Sequence, residues 1–421
     1  EPVWGRSNGE IESQKNTKIS VRQPLPVLSA SRAKVVQQSD TVTARARFKP
    51  PERLERVKIR FSTPQRVEVG GIPKVSSLYQ GQIAGLTESF DTVIYTLDAE
   101  LQKYTEQLVK QSASPHVAMV VMDPRTGHVL AVADRSSSIK NLYLHTGFPA
   151  ASLFKIVTTT AALELTDISP MEKIRFRGGT YTLNQWNYRP DRRRDNQVMT
   201  LTEALGKSCN PVFARVALGN LDQQVLQSYA SSFGFNEVLP YDEPLELSRA
   251  NIPANDFGLA RTAAGFGDVY FSPIHAASMM AGIANNGRMP RPVLVDRIVG
   301  PDGMLKYRAY PRYSDPIMQS STARTLLNML EATTTTGTSK KEFFVGSRPR
   351  LPGVRVAAKT GTLSGISPKG INRWFVATAP IQNPQVVVVV LNVDNQRRAM
   401  SSSRMGRMLL EHFFRKGKVV S

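Results

Sequence analysis

Ser152 and Lys155 stand three residues apart in "FPAASLFKIVTTTAAL", residues 148–163, a run that is otherwise almost wholly apolar. That separation puts both side chains on one face of a helix. A lysine in such surroundings is desolvated, which lowers its pKa and lets the neutral amine take a proton from a neighbouring hydroxyl. The start of the helix adds backbone N–H groups and a positive potential that favour an oxyanion near Ser152. The pair therefore reads as a serine nucleophile with a lysine base. Two later runs supply what acyl transfer on an amide bond beside a carboxylate requires. "SCN" offers the hydroxyl of Ser208 and the amide of Asn210, with Pro211 marking a helix boundary or loop. "KTGT", comprising Lys359, Thr360, Gly361 and Thr362, follows the strand-like "VRVAA". Gly361 there has no side chain to obstruct a substrate backbone laid along the strand.

Ser-x-x-Lys alone carries little information, since the chain holds it three times. Ser31 with Lys34 lies in a proline- and arginine-rich region, and Ser137 with Lys140 in a polar loop after a strand. Only Ser152 opens an apolar helix. Cys209, the single cysteine, reads as a small packed residue, and it excludes any disulfide framework within the chain. His116, His128, His145, His275 and His412 show no metal-ligand spacing. No G-x-S-x-G elbow or phosphate loop is present, and "GFGDVY" lacks the last glycine of a dinucleotide fingerprint. Neither a metal nor a cofactor is expected.

The elements that must position these groups follow from periodicity. "DTVIYTLDAELQKYTEQLVKQS" predicts a short strand and a helix capped by Asp98, with Leu101, Tyr104, Leu108 and Val109 on one face. "VAMVVMDPRTGHVLAVAD" predicts a hairpin around "DPRTG". "VRVAAKTGT", "RWFVATAP" and "QVVVVVLNVD" predict three more strands, and "SSSRMGRMLLEHFFRKGK" a last helix with Met405, Met408, Leu409 and Phe413 on one side. Short connections favour an antiparallel sheet whose one face is covered by the first and last helices. The middle, about 150 to 345, reads as a mostly helical insertion interrupted by the hairpin "VDRIVGPDGMLKYR".

The chain has 421 residues and a formal net charge of +20. Residues 1–75 read as a basic N-terminal extension or the remnant of a pedestal, extended, strand-containing or partly disordered, and residues 76–421 as one large domain. The charge suggests anionic surroundings, membrane headgroups, an acidic cell-surface polymer or nucleic acid, and does not choose among them. "RPDRRRD", residues 189–195, alternates signs and reads as a solvated loop rather than a nucleic-acid patch. No run reaches the roughly 18 apolar residues of a membrane span. Since the first residue is Glu1, a signal peptide or anchor removed ahead of it is expected to bring the protein near a membrane.

Taken in order, S-x-x-K, S-x-N and K-T-G resemble the penicillin-binding protein transpeptidases and their serine β-lactamase relatives. "YTLDAELQ", "TLTEALGKSCNPVF" and "GFGDVYFSPIHAASMMAGIANNG" extend the resemblance from about residue 91 to 415. It implies an α+β fold, a central antiparallel five-stranded sheet flanked by helices with a mostly helical subdomain. It implies that Ser152 is acylated by a D-alanyl-D-alanine stem peptide and Lys155 takes its proton. Ser208 relays a proton to the leaving D-alanine, and Asn210 holds the substrate backbone and Lys155. Lys359 supplies positive charge, the Thr360 and Thr362 hydroxyls contact the carboxylate, and the backbone N–H groups of Ser152 and Thr362 form the oxyanion hole. β-Lactams acylate the same serine.

Departures from the family pattern concern the groove, where Phe154 and Leu363 are bulky and are expected to narrow it. "TYTLNQW" keeps the Leu-Asn of a class A β-lactamase loop but has Thr180 in place of its glutamate, and Asn210 replaces the valine of class D. A lasting penicillin adduct is therefore expected rather than hydrolysis. The expected activity is a monofunctional peptidoglycan D,D-transpeptidase at the periplasmic face of the inner membrane, serving wall synthesis and cell shape. The alternatives are a D,D-carboxypeptidase of the same fold or a non-turning-over penicillin-binding scaffold. Wall-synthesis proteins would dock through the N-terminal arm.

Overall fold

Five strands form the central sheet of the computed structural model, which describes residues 54–63, 66–394 and 400–417. Of the expected basic extension, residues 1–53 lie outside the described residues, as do Ser31 and Lys34. In spatial order the strands are Ala357–Ile366, Lys369–Ala379, Val386–Asp394, His116–Met122 and Val129–Arg135, all antiparallel. The valine run occupies the central strand and is buried along its whole length, as a strand covered on both faces must be. Its alternation divides the core. Val387, Val389 and Leu391 face one apolar cluster, whereas Val386, Val388 and Val390 face a second.

The second cluster is closed by the helices Ala99–Gln111 and Ser402–Gly417, as expected. Asp98 caps the first of them, its carboxylate accepting from the Leu101 N–H at 2.9 Å. Met405 and Leu409 of the last helix are fully buried. The opposite face is covered by the helix Pro273–Ala284, all twelve residues of which are buried. Its sequence reads as part of the helical insertion, yet it lies on the sheet.

The hairpin Val295–Val299 and Leu305–Arg308 interrupts the helical region as expected, between the helices Pro273–Ala284 and Ser320–Leu330, and it joins a separate sheet, pairing Val295 with Tyr95 of the strand Thr92–Tyr95. Into the same sheet runs Glu55–Arg56, parallel to Gly85 and Leu86, while Val67 and Val69 enter the main core. The residues just ahead of position 76 are thus packed with the domain that follows. Residues 189–194 are exposed or half-buried, as a solvated loop should be, but Asp195 is 5% exposed and lies between two buried arginines, Arg177 at 2.8 Å and Arg215 at 3.2 Å. The loop is tied down from inside.

Candidate active site

The run around Ser152 is not one continuous helix. Phe148–Pro149 forms a short strand, Ala151–Phe154 a 3-10 turn, and the α-helix covers Lys155–Leu165. Ala151 sits at φ 50°, a left-handed conformation that costs a non-glycine residue on the order of 1 kcal/mol and is typical of functional sites. Gly265, at φ +94°, makes room for it: a Cβ there would lie 2.2 Å from the Ala151 carbonyl oxygen. The β-branched run behind Lys155 is held by its own hydroxyls. Thr159 donates to the Lys155 carbonyl at 2.7 Å, Thr160 to that of Ile156 at 2.9 Å, and Thr158 across to Ala263 at 3.0 Å.

Ser208 and Asn210 meet this turn because two helices break at "SCN". Leu201–Lys207 ends on Ser208 in the left-handed conformation, φ 60°, and Asn210–Asn220 begins directly after Cys209. The break turns the side chains of Ser208 and Asn210 toward Lys155 and Lys359. Lys359 belongs to the edge strand Ala357–Ile366, so "KTGT" lies inside the strand and "VRV" precedes it. Gly361 brings that strand against the Ser152 turn, where a Cβ would sit 3.4 Å from the Ser152 backbone nitrogen. Trp374 on the next strand clamps the same junction, its indole N–H donating to the Pro149 carbonyl at 2.9 Å.

Lys155 Nζ lies 2.8 Å from Ser152 Oγ and 2.7 Å from Asn210 Oδ1, and it also contacts the Ala264 carbonyl. Its side chain is completely buried. Burial drives its pKa well below the usual lysine value, and the charge of Lys359 lowers it further. When neutral, the amine keeps two N–H bonds, to Asn210 and Ala264, and accepts the Ser152 hydroxyl hydrogen. Lys359 Nζ donates to Ser208 Oγ at 2.9 Å and to the Thr360 carbonyl at 3.0 Å. Burial lowers its pKa to about 7.

Ser152, Ser208, Asn210 and residues 360–362 line one cavity of about 510 Å³, and the buried Lys155 and Lys359 lie behind this lining, bonded to Ser152, Asn210 and Ser208. The named lining residues include no aspartate, glutamate or histidine. Leu363 lines the cavity as expected, but Phe154 does not: it is 1% exposed and packs edge-on against Phe235. Cys209 is fully buried, and burial pushes its thiol up to about 11, so no thiolate is available. His275 is equally buried between Ser248 and the Phe233 carbonyl, away from the cavity lining.

Three contributors have no signature in the sequence reading. The Tyr181 carbonyl accepts from Asn210 Nδ2 at 2.6 Å, occupying one of the amide N–H groups expected to face substrate. Ala264 supplies the third contact of Lys155. Thr338 shares a hydroxyl bond of 2.6 Å with Thr360. Its only local signal is the hydroxyl-rich "TTTTGTSK", whose Gly337 packs on Gly206.

Residues 117–410 match the family model described as the penicillin-binding protein transpeptidase domain. A peptidoglycan D,D-transpeptidase PbpA of Mycolicibacterium smegmatis is 29% identical over 275 residues, covering 63% of this chain and 54% of that protein. The chain thus spans little more than half the length of that relative. Among solved structures, the D,D-transpeptidase domain of a peptidoglycan glycosyltransferase from Eggerthella lenta superposes with a TM-score of 0.65 at 23% identity, over 80% of this chain and 84% of that one. An imipenem acyl-enzyme of penicillin-binding protein A from M. tuberculosis gives 0.62 at 25% identity, over 79% and 80%.

Proposed function

Because the chain belongs to the penicillin-binding protein transpeptidase family, we propose that it is a peptidoglycan D,D-transpeptidase working through a Ser152 acyl-enzyme. The observation that carries this reading is the Ser152–Lys155–Asn210 chain of contacts at 2.8 and 2.7 Å around a completely buried lysine.

Ser152 Oγ attacks the carbonyl of the penultimate D-alanine while its proton passes to the neutral Lys155 amine. The carbonyl oxygen becomes an oxyanion held by the backbone N–H groups of Ser152 and Thr362; losing one such donor in other enzymes costs about 2.7–4 kcal/mol. Ser208, bonded to Lys359, passes its hydroxyl proton to the departing amine and takes in its place the proton held by Lys155, which returns to neutral. The C–N bond breaks, D-alanine leaves, and an ester remains on Ser152. An acceptor amine then attacks the ester, its proton passes to Lys155 and from there to the departing Ser152 oxygen, and the serine is regenerated. Thr360, Gly361 and Thr362 hold the substrate strand and its carboxylate. A β-lactam follows the first half, but its leaving nitrogen stays tethered, and the absence of an acid among the named lining residues favours a lasting adduct.

Action on the wall places the domain on the outer face of the cytoplasmic membrane. Residues 1–75 are assigned to spacing or partner docking and 76–421 to the catalytic domain. The test supplies a pentapeptide ending in D-alanyl-D-alanine together with a D-amino acid acceptor. Penicillin-sensitive D-alanine release with acceptor incorporation is the expected result. Release without incorporation would make the protein a carboxypeptidase, and neither would make it a scaffold.

A further inference from the structure

A second cavity, of about 240 Å³, shares no lining residue with the one at Ser152. It is bordered by the strand Leu305–Arg308 and by Arg291, Val293, Tyr310 and Arg312. Four cations, Arg291, Lys306, Arg308 and Arg312, thus contribute to its lining, and no aspartate or glutamate does so among the described residues. Its volume lies below the roughly 300 Å³ at which pockets for drug-sized ligands begin, so it suits one small group.

The inner wall holds donors without acceptors. The Arg291 backbone N–H donates to the Arg312 carbonyl at 2.7 Å, which fixes the two residues side by side. The Arg291 side chain is 10% exposed; its Nη2 donates to Asp242 Oδ1 at 3.3 Å, and neither Nε nor Nη1 has an acceptor among the described residues. Asp242 is 1% exposed, and its other oxygen accepts from the Leu294 and Val295 N–H groups at 2.7 and 3.1 Å. That carboxylate is held behind Arg291, outside the cavity lining. Tyr307, 7% exposed, lines the cavity, and its hydroxyl has no hydrogen-bond partner among the described residues. Burial pushes its pKa up to about 12, with Asp242 and Asp296 raising it and the charges of Arg291 and Arg312 lowering it, so both guanidinium groups act on a hydroxyl that stays protonated. Lys306 and Arg308 alternate with Tyr307 along the strand and are exposed. Lys306 pairs with Asp91 at 2.6 Å, whereas Arg308 has no ion pair among the described residues.

Unsatisfied N–H and O–H donors in a small pocket without a lining acid suit an oxyanion. A carboxylate presents two oxygens in one plane; a phosphate presents oxygens in several directions and can meet two guanidinium groups and a hydroxyl together. We propose that this cavity binds a phosphate ester, with Arg291, Arg312 and Tyr307 donating to its oxygens. The phosphate belongs to a lipid headgroup or to a soluble ester. Since the two cavities have separate linings, the bound group leaves Ser152 free and serves as a tether for the domain. The inference goes beyond the transpeptidase reading and does not depend on it.

The test titrates the native chain with glycerol phosphate by calorimetry and measures its sedimentation with phosphatidylglycerol vesicles. Binding of glycerol phosphate shows that a soluble ester suffices, and binding of the vesicles alone assigns the site to a headgroup. In either case Arg312→Gln is expected to weaken binding about 10- to 100-fold, the size of a lost charged hydrogen bond, and Tyr307→Phe about 10-fold with no charge removed. Arg348→Gln with Arg350→Gln removes two exposed charges elsewhere and is expected to change little. Thermal melting reports the fold of each variant, and Tyr307→Phe, which keeps the ring, stays readable should Arg312→Gln fold poorly. No binding of either probe, binding that survives both substitutions, or an equal loss in the Arg348 and Arg350 double variant would overturn the site and leave the transpeptidase reading intact.

Discussion

Lys155 and Arg373 are two cations near one cavity, Arg373 in its lining and Lys155 bonded to its lining residues Ser152 and Asn210, and their surroundings are opposite. Lys155 is completely buried, its acceptors are a hydroxyl, an amide oxygen and a backbone carbonyl, and no carboxylate hydrogen-bonds to it among the described residues. Arg373 is a third exposed and backed by the buried carboxylate of Asp394. The first arrangement strips charge from a cation and suits it to act as a base; the second pairs a cation with a buried carboxylate. Lys359 is as buried as Lys155, and burial lowers its pKa to about 7.

The comparison breaks most visibly at the base. Lys155→Ala removes the proton acceptor of Ser152, and penicillin acylation is expected to slow by about 10²–10⁴-fold, the usual range for general-base catalysis. Stopped-flow quenching with a fluorescent penicillin measures it. Undiminished acylation would mean that Lys155 does not serve as the base.

The next largest effect tests how the base is oriented. Asn210 is fixed by the Tyr181 carbonyl, and Tyr181 belongs to the loop anchored by Asp195 between Arg177 and Arg215. Asp195→Ala leaves two buried guanidinium groups without their partner and is expected to cost about 3–5 kcal/mol of stability. Denaturant unfolding reads this, and a midpoint unchanged from the native protein would contradict the buried network.

Lys359 gives a smaller, pH-dependent effect. Its folded pKa of about 7 lies below the unfolded value of 10.5, so across that window the unfolded chain binds more protons. Its contribution to stability therefore rises with pH through the window and is at its lowest below the folded pKa. Acylation runs the other way: as pH rises through about 7 the charge of Lys359 is lost, and the rate for benzylpenicillin is expected to fall on an alkaline limb that its methyl ester lacks. Identical pH profiles for the two ligands would remove Lys359 from carboxylate recognition. The smallest effect is at Thr338→Val, which deletes one neutral hydroxyl bond to Thr360, worth about 0.5–1.5 kcal/mol. Acylation is expected to slow a few-fold, measured in the same assay.

Local sequence patterns disclosed the reactive groups because each stands at a local punctuation mark. Ser152 precedes an apolar helix, "SCN" interrupts two helices, and Gly361 marks a close approach within a strand. The strands and the paired terminal helices were equally legible, since their alternation spans whole elements. What periodicity cannot convey is where a backbone carbonyl points or which distant segment arrives beside it. Tyr181, Ala264 and Thr338 act through positions set by the tertiary path of the chain. The same reason explains Phe154, adjacent to Lys155 yet turned into the core, and Asp195, which lies in an arginine-rich loop yet is buried.

Mass spectrometry after exposure to benzylpenicillin tests the central claim most directly. The native chain is expected to gain one penicilloyl group, located by peptide mapping on Ser152, and Ser152→Ala to gain none while melting at the native temperature. An adduct on another residue, or one that persists in Ser152→Ala, would contradict the assignment of Ser152 as the nucleophile.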